Sequence, residues 1–204
     1  MYICQMKKIV LTLFLCILFS CNQKPDKLPF LGNPVVNGKD TIYPKIHDFS
    51  FIDQDSITVT NKTFENKIYV ADFIFLSCPT ICPKMHTELS SVYNIYKNNP
   101  NILFISHTID PEHDTVERLK AYTKSNKISN KWHFVTGNRD SIYSIATKSY
   151  FATAYNDSKE PGGYVHSGGF LLIDKNRHIR GVYDGTNPEE TKRLIRDIKV
   201  LLSE

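Results

Sequence analysis

The sequence predicts an α/β domain built on a central mixed sheet with helices on its faces. Three observations predict it. From Asp48 onward, short β-branched and aromatic runs alternate with segments of helical period, and the chain then closes on a hairpin and an amphipathic helix. Two cysteines, Cys78 and Cys82, stand between the β-branched and aromatic run of residues 67–76 and the first helix. That position, outside the carboxyl end of a central strand, is where ligand chemistry gathers in open α/β sheets.

The elements follow in order. Ile57-Thr58-Val59 alternates as a short strand, and residues 67–76 read as a buried one. A helix runs from Pro83 to Lys97, with Met85, Leu89, Val92 and Tyr96 on one stripe. Residues 102–106 are nearly all apolar, as a strand covered on both faces would be. Asp114-Thr115 caps a helix to Lys124 that places Val116, Leu119 and Tyr122 together. Trp132 to Val135 is a strand, and residues 140–149 a helix. Strands 169–173 and 179–183 meet at the turn Asp174-Lys175-Asn176-Arg177. Asn187 and Pro188 then start the last helix, whose core stripe is Leu194, Ile195, Ile198, Leu201 and Leu202.

The start of the chain speaks to compartment. Lys7 and Lys8 precede an apolar stretch from Ile9 to Phe19, 11 residues long. A spanning helix needs about 20 residues, whereas this length suits the core of a signal peptide. Met1 or Met6 can serve as its start. The stretch ends in Leu18-Phe19-Ser20-Cys21, which resembles the lipobox of bacterial lipoproteins. Residues 1–20 are therefore expected to be a signal peptide, with Cys21 lipidated. That places the protein in the bacterial cell envelope, held to a membrane and facing the periplasm. Residues 21–44 read as a tether, with a hairpin turning at Asn37-Gly38. Residues 45–204 form a single domain, expected to be a monomer.

Composition narrows the function. Removing the signal takes away two Lys and no acid, so the formal charge falls from +4 to +2, too little for a nucleic-acid partner. Of five cysteines, Cys4 and Cys16 leave with the signal and Cys21 carries lipid. Cys78 and Cys82 remain, an isolated thiol pair that oxidises outside the cytoplasm unless kept reduced or bound to metal.

Three residues separate the two thiols. Both sulfurs can point to one side of the loop, converge on one ion, or join as a disulfide. Two thiolates with little else favour Cu(I) over zinc, which wants four ligands. A third ligand must come from elsewhere. Among seven histidines, His47, His107, His113, His133 and His178 read as solvated or half-buried side chains, and His86 as a rival a full turn inside the helix. His166 differs, because it lies in a glycine-flanked loop, Pro161 to Gly169, that can close over the thiols.

At this point three stretches show a family pattern. Asp72-Phe73-Ile74-Phe75-Leu76-Ser77-Cys78-Pro79-Thr80-Ile81-Cys82-Pro83, then residues 108–115 from Thr108 to Thr115, then Tyr164-Val165-His166-Ser167, resemble the signatures of Sco/SenC proteins in order and spacing. The resemblance runs from Ile46 to Leu202. It implies a thioredoxin-like (peroxiredoxin-like) fold and a copper chaperone for cytochrome c oxidase assembly. It further implies that copper, Cu(I) or Cu(II), binds Cys78, Cys82 and His166, and that the partner is the oxidase subunit bearing the copper-A site. Asp110 and Asp114 match an acidic motif near the metal loop and are outer-shell candidates, although helix capping explains Asp114 equally well. An alternative stays open: Cys78 and Cys82 as the redox-active pair of a thiol–disulfide oxidoreductase that reduces the acceptor's cysteines. A peroxidase reading is weaker, since no Arg lies near Cys78 in sequence, and a redox or copper sensor is weaker still. A conventional enzyme is not expected.

Overall fold

The computed structural model describes residues 27–204 apart from 158 and 160–163. The expected signal peptide, Cys21 and the glycine pair Gly162-Gly163 lie outside the described residues. Within them, no helix is long and apolar enough to cross a membrane.

Seven strands form the central sheet in the order β11-β10-β5-β6-β7-β3-β4. At its centre, β5 (Ile68–Ile74), β6 (Ile102–Thr108) and β7 (Trp132–Thr136) run parallel. Every residue of these three strands is buried, as strands covered on both faces require. β10 (Gly169–Ile173) pairs antiparallel to β5 and to β11 (Ile179–Asp184), while β3 (Ser50–Asp53) pairs antiparallel to β7 and to β4 (Thr58–Thr60). The result is the α/β mixed sheet that the alternation predicts.

Three helices cover one face: α1 (Cys82–Tyr96), α2 (Val116–Ser125) and α4 (Pro188–Ser203). Met85, Leu89 and Val92 of α1 and Leu194, Ile198 and Leu201 of α4 pack there against Val70, Phe104 and Leu172. On the other face, Ile142, Ile145 and Ala146 of α3 (Arg139–Lys148) pack with Tyr69, Phe73, Ile105 and Tyr150. Burying a Leu or Ile side chain contributes roughly 1.5–3 kcal/mol, so these stripes hold the layers in place.

Four expectations change. β3 escapes the sequence reading because its four residues, Ser-Phe-Ile-Asp, carry polar ends in place of a long apolar run. The hairpin β1 (Val35–Asn37) and β2 (Asp40–Ile42) does form, but Asn37 pairs with Asp40, so the loop is Gly38-Lys39. Gly38, at φ +63°, supplies the positive dihedral at the first loop position. The segment expected as an open loop around His166 is instead a ribbon, β8 (Ala154–Asn156) against β9 (Tyr164–His166). Its strands have three residues each, too few to show a period of two. Finally, His107 is wholly buried in β6, with neither ring nitrogen hydrogen-bonded.

Candidate metal centre

The sheet register decides what meets Cys78 and Cys82. β5 ends at Ile74, and a loop through Cys78 leads to α1, where Cys82 is the first helical residue. Pro83 takes an early position of the helix, where its missing N–H costs nothing. β10 pairs antiparallel with β5, Leu171 opposite Ala71, so the start of β10 lies beside the end of β5. His166 stands three residues before β10 and therefore arrives above the thiol loop. Antiparallel pairing of Ala154 with His166 holds that strand in register.

The ligand atoms of Cys78, Cys82 and His166 all lie within 4.8 Å of one another, and they form the one such group of His, Cys or acidic side chains among the described residues. His166 Nε2 is 3.3 Å from Cys82 Sγ. Its Nδ1 is buried without a partner, and the ring stands edge-on to Phe75 at 5.7 Å. Both cysteines are free thiols, Cys78 buried and Cys82 half-buried. Two soft sulfurs and an imidazole at this spacing suit copper, which accepts low coordination, better than a four-ligand zinc site.

The two thiols are electrostatically unlike. Burial works to raise the Cys78 pKa, but hydrogen bonds from the Cys82 and Thr80 backbone and from the Thr80 and His166 side chains outweigh it and bring it down to about 6. Thr80 Oγ1 lies 3.5 Å from Cys78 Sγ. Burial pushes the Cys82 thiol far up; Phe75 opposes this with a backbone hydrogen bond, and the neighbouring Cys78 adds to it. One thiol is thus poised as a thiolate and the other holds its proton.

The acidic candidates sit around this centre in different ways. Asp110, buried at the end of β6, accepts a hydrogen bond from Tyr164 Oη at 2.7 Å and pairs with His113 Nδ1 at 2.8 Å. Tyr164 and His166 share β9, so Asp110 fastens the strand that carries the imidazole. Asp114 does not cap α2: Thr115 does, accepting from the Arg118 N–H. Asp114 instead accepts from the Leu76 N–H at 3.0 Å and Thr108 Oγ1 at 2.6 Å, and pairs with Arg118 at 3.2 Å. It therefore fixes the backbone two residues before Cys78. The cap expectation fails because Thr115 offers its hydroxyl at the right position, leaving Asp114 free to turn inward.

Two further sequence readings are corrected here. His86 does not reach the thiols; its ring stacks on Trp132 with centroids 5.6 Å apart, and Nε2 meets Ser90 Oγ at 3.3 Å. Arg118 does approach the thiol loop, donating to Ser77 Oγ at 2.8 Å. A separation of 41 residues hid it from a local reading. Sequence reasoning also missed Asp72, which lines a cavity of about 250 Å³ together with Cys78, Cys82, Ser106 and Trp132. Ser106 donates to Asp72 at 2.5 Å and accepts from Trp132 Nε1 at 2.8 Å. Burial raises the Asp72 pKa to about 7, with Ser106 opposing. Its polar side chain inside an apolar run was the available signal.

Residues 39–203 match the SCO1/SenC family. The chain belongs to that family. Among solved structures of related proteins, a SCO1/SenC family lipoprotein from Bacillus anthracis str. Ames superposes with a TM-score of 0.72 at 26% identity, over 84% of this chain and 99% of that one. BsSco, described as having a disulfide switch and as a member of the Sco family of cytochrome c oxidase assembly proteins, gives 0.68 at 26% identity over 85% and 98%. Arabidopsis thaliana ScoI, solved with copper bound, gives 0.63 at 25% identity over 75% and 97%. The fold is the thioredoxin-like one that this SCO1/SenC resemblance implied.

Proposed function

We propose that this SCO1/SenC protein is a copper carrier that loads the copper-A site of cytochrome c oxidase during assembly of the enzyme. One observation carries the reading: Cys78, Cys82 and His166 bring their ligand atoms within 4.8 Å of one another. The copper-bound Arabidopsis relative and the oxidase-assembly role stated for BsSco support it. Copper is the cargo, held by two thiolates and one imidazole. Binding releases the Cys82 proton to solvent, and incoming acceptor thiolates then displace the donor ligands one at a time. Asp110, through Tyr164, and Asp114, through Leu76, act by holding the histidine strand and the thiol loop. The lipobox at Leu18 to Cys21 supports a lipid anchor in the bacterial envelope with the domain in the periplasm. The lipoprotein description of the Bacillus anthracis relative agrees.

The test is copper content per chain after growth in copper. One ion is expected in the parent protein and none in Cys78→Ser or Cys82→Ser. Affinity and absorption unchanged in His166→Ala would remove that residue from the site.

A second reading is favoured by the unequal thiols. With Cys78 held down to about 6 and Cys82 far above it, Cys78 can attack a disulfide of the acceptor as a thiolate. Cys82 then resolves the mixed disulfide; two electrons pass to the acceptor, whose two sulfurs take up the Cys82 proton and one proton from solvent, and Cys78–Cys82 becomes a disulfide. Turnover on a disulfide substrate that persists without copper would favour this role.

A further inference from the structure

The end of the domain opposite Cys78 and Cys82 carries features that the copper chemistry does not use. β5 runs from Ile68 at that end to Ile74 at the thiol end, a rise of roughly 20 Å. At the Ile68 end lie the Asn61–Phe64 turn and, through the antiparallel pairing of Ile173 with Tyr69, the turn that follows β10. A surface cavity of about 390 Å³ opens between them. Lys45, Lys62, Lys175 and Arg177 line it with a single carboxylate, Glu65. Arg177 also pairs with Asp48 at 2.5 Å.

The β1–β2 hairpin springs from the same end. Its flanks are pinned there, Leu31 N to Ile179 O at 2.9 Å and Ile46 N to Arg177 O at 2.9 Å. Phe30 and Tyr43 stack at its base, 5.0 Å apart. Beyond that base no described residue covers it: Val35 is 64% exposed, Val36 71% and Ile42 55%. Three projecting aliphatic side chains beside a cluster of cations are the composition of a surface that dips into lipid headgroups.

The chain length says which surface this is. Arg180, 4% exposed, ties the segment entering the domain by donating to the Pro29 and Leu28 carbonyls, at 3.1 and 2.5 Å. Leu28 lies seven positions beyond Cys21, a reach of about 25 Å when fully extended. A lipid on Cys21 therefore holds this end close to the bilayer.

We infer that the end of the domain bearing the Val35–Ile42 hairpin and the Lys45, Lys62, Lys175 and Arg177 cavity lies against an anionic phospholipid surface, so that the three-ligand centre faces away from the membrane. This rests on the lipid-anchor reading above. Headgroup phosphates pair with the cations, and the aliphatic side chains enter the boundary between headgroups and acyl chains.

The experiment uses the intact lipidated protein in vesicles of phosphatidylglycerol and phosphatidylethanolamine carrying brominated acyl chains. The native Trp132 is buried and serves as the internal control for V36W and, at the thiol end, S77W. In V36W the introduced indole is expected to shift to shorter wavelength and be quenched; in S77W it is expected to stay unquenched. Charge reversal by K45E, K62E and K175E together is expected to abolish the quenching in V36W while the protein still floats with the vesicles. Unquenched V36W on floating vesicles, quenched S77W, or quenching that survives the charge reversal would each overturn the inference while sparing the anchor. Protein that fails to float would overturn both.

Discussion

Replacing His107 with Phe should make the folding stability less sensitive to mild acid, by an amount set by the burial of the imidazole. The ring is enclosed by Phe49, Phe51, Phe73 and Tyr150, with centroids between 5.1 and 5.9 Å away. Burial lowers its pKa from 6.5 to about 3. The unfolded chain therefore binds a proton that the folded chain refuses, so stability is complete above pH 6.5 and is lost as pH falls toward 3. At pH 5 the linkage amounts to about 2 kcal/mol, whereas at pH 7 it is about 0.2 kcal/mol. Urea unfolding of copper-free, reduced protein at both pH values gives the parent-minus-variant difference and cancels every other titrating group. That difference should move by about 2 kcal/mol in favour of His107→Phe on going from pH 7 to pH 5. A difference that is the same at both pH values would refute the reasoning, whatever the variant's absolute stability.

Three other outcomes follow from the same structure. Alkylation of copper-free reduced protein should label Cys78 first, with a rate rising through a midpoint near pH 6, while Cys82 reacts slowly throughout; mass mapping of the labelled peptide checks it. Tyr164→Phe removes the hydroxyl that Asp110 accepts. It should lower copper affinity roughly tenfold with all three ligands still in place, as loss of a ligand-orienting contact does elsewhere, measured by competition with a chelator. Arg180→Met leaves Asp174 buried without the guanidinium that pairs with it at 3.0 Å. A loss of about 3–5 kcal/mol is expected, read by urea denaturation.

What sequence made visible, and what it hid, has physical reasons. The central strands were legible because β5 and the first half of β6 are mostly apolar, and α4 because Leu194, Ile198 and Leu201 repeat at helical spacing. The thiol pair announced itself by position between strand and helix, and His166 by the glycines around it. The β8–β9 ribbon stayed hidden because three-residue strands carry too little pattern, although it is what turns a loose histidine into a placed one. Sequence leaves Asp114 between an outer-shell acid and a cap, because its neighbour Thr115 stands at a helix start and truly is the cap; only the fold shows its carboxylate gripping Leu76 across 38 residues. His107 carried no signal at all, since an imidazole in an apolar strand looks the same whether it is paired or enclosed by rings.

The most direct measurement is the copper coordination shell, read by X-ray absorption on the loaded protein and on His166→Ala. Two sulfur ligands and one nitrogen ligand are expected in the parent, with the nitrogen lost in the variant. A parent shell without nitrogen, or a nitrogen that persists when His166 is gone, would contradict the Cys78–Cys82–His166 centre.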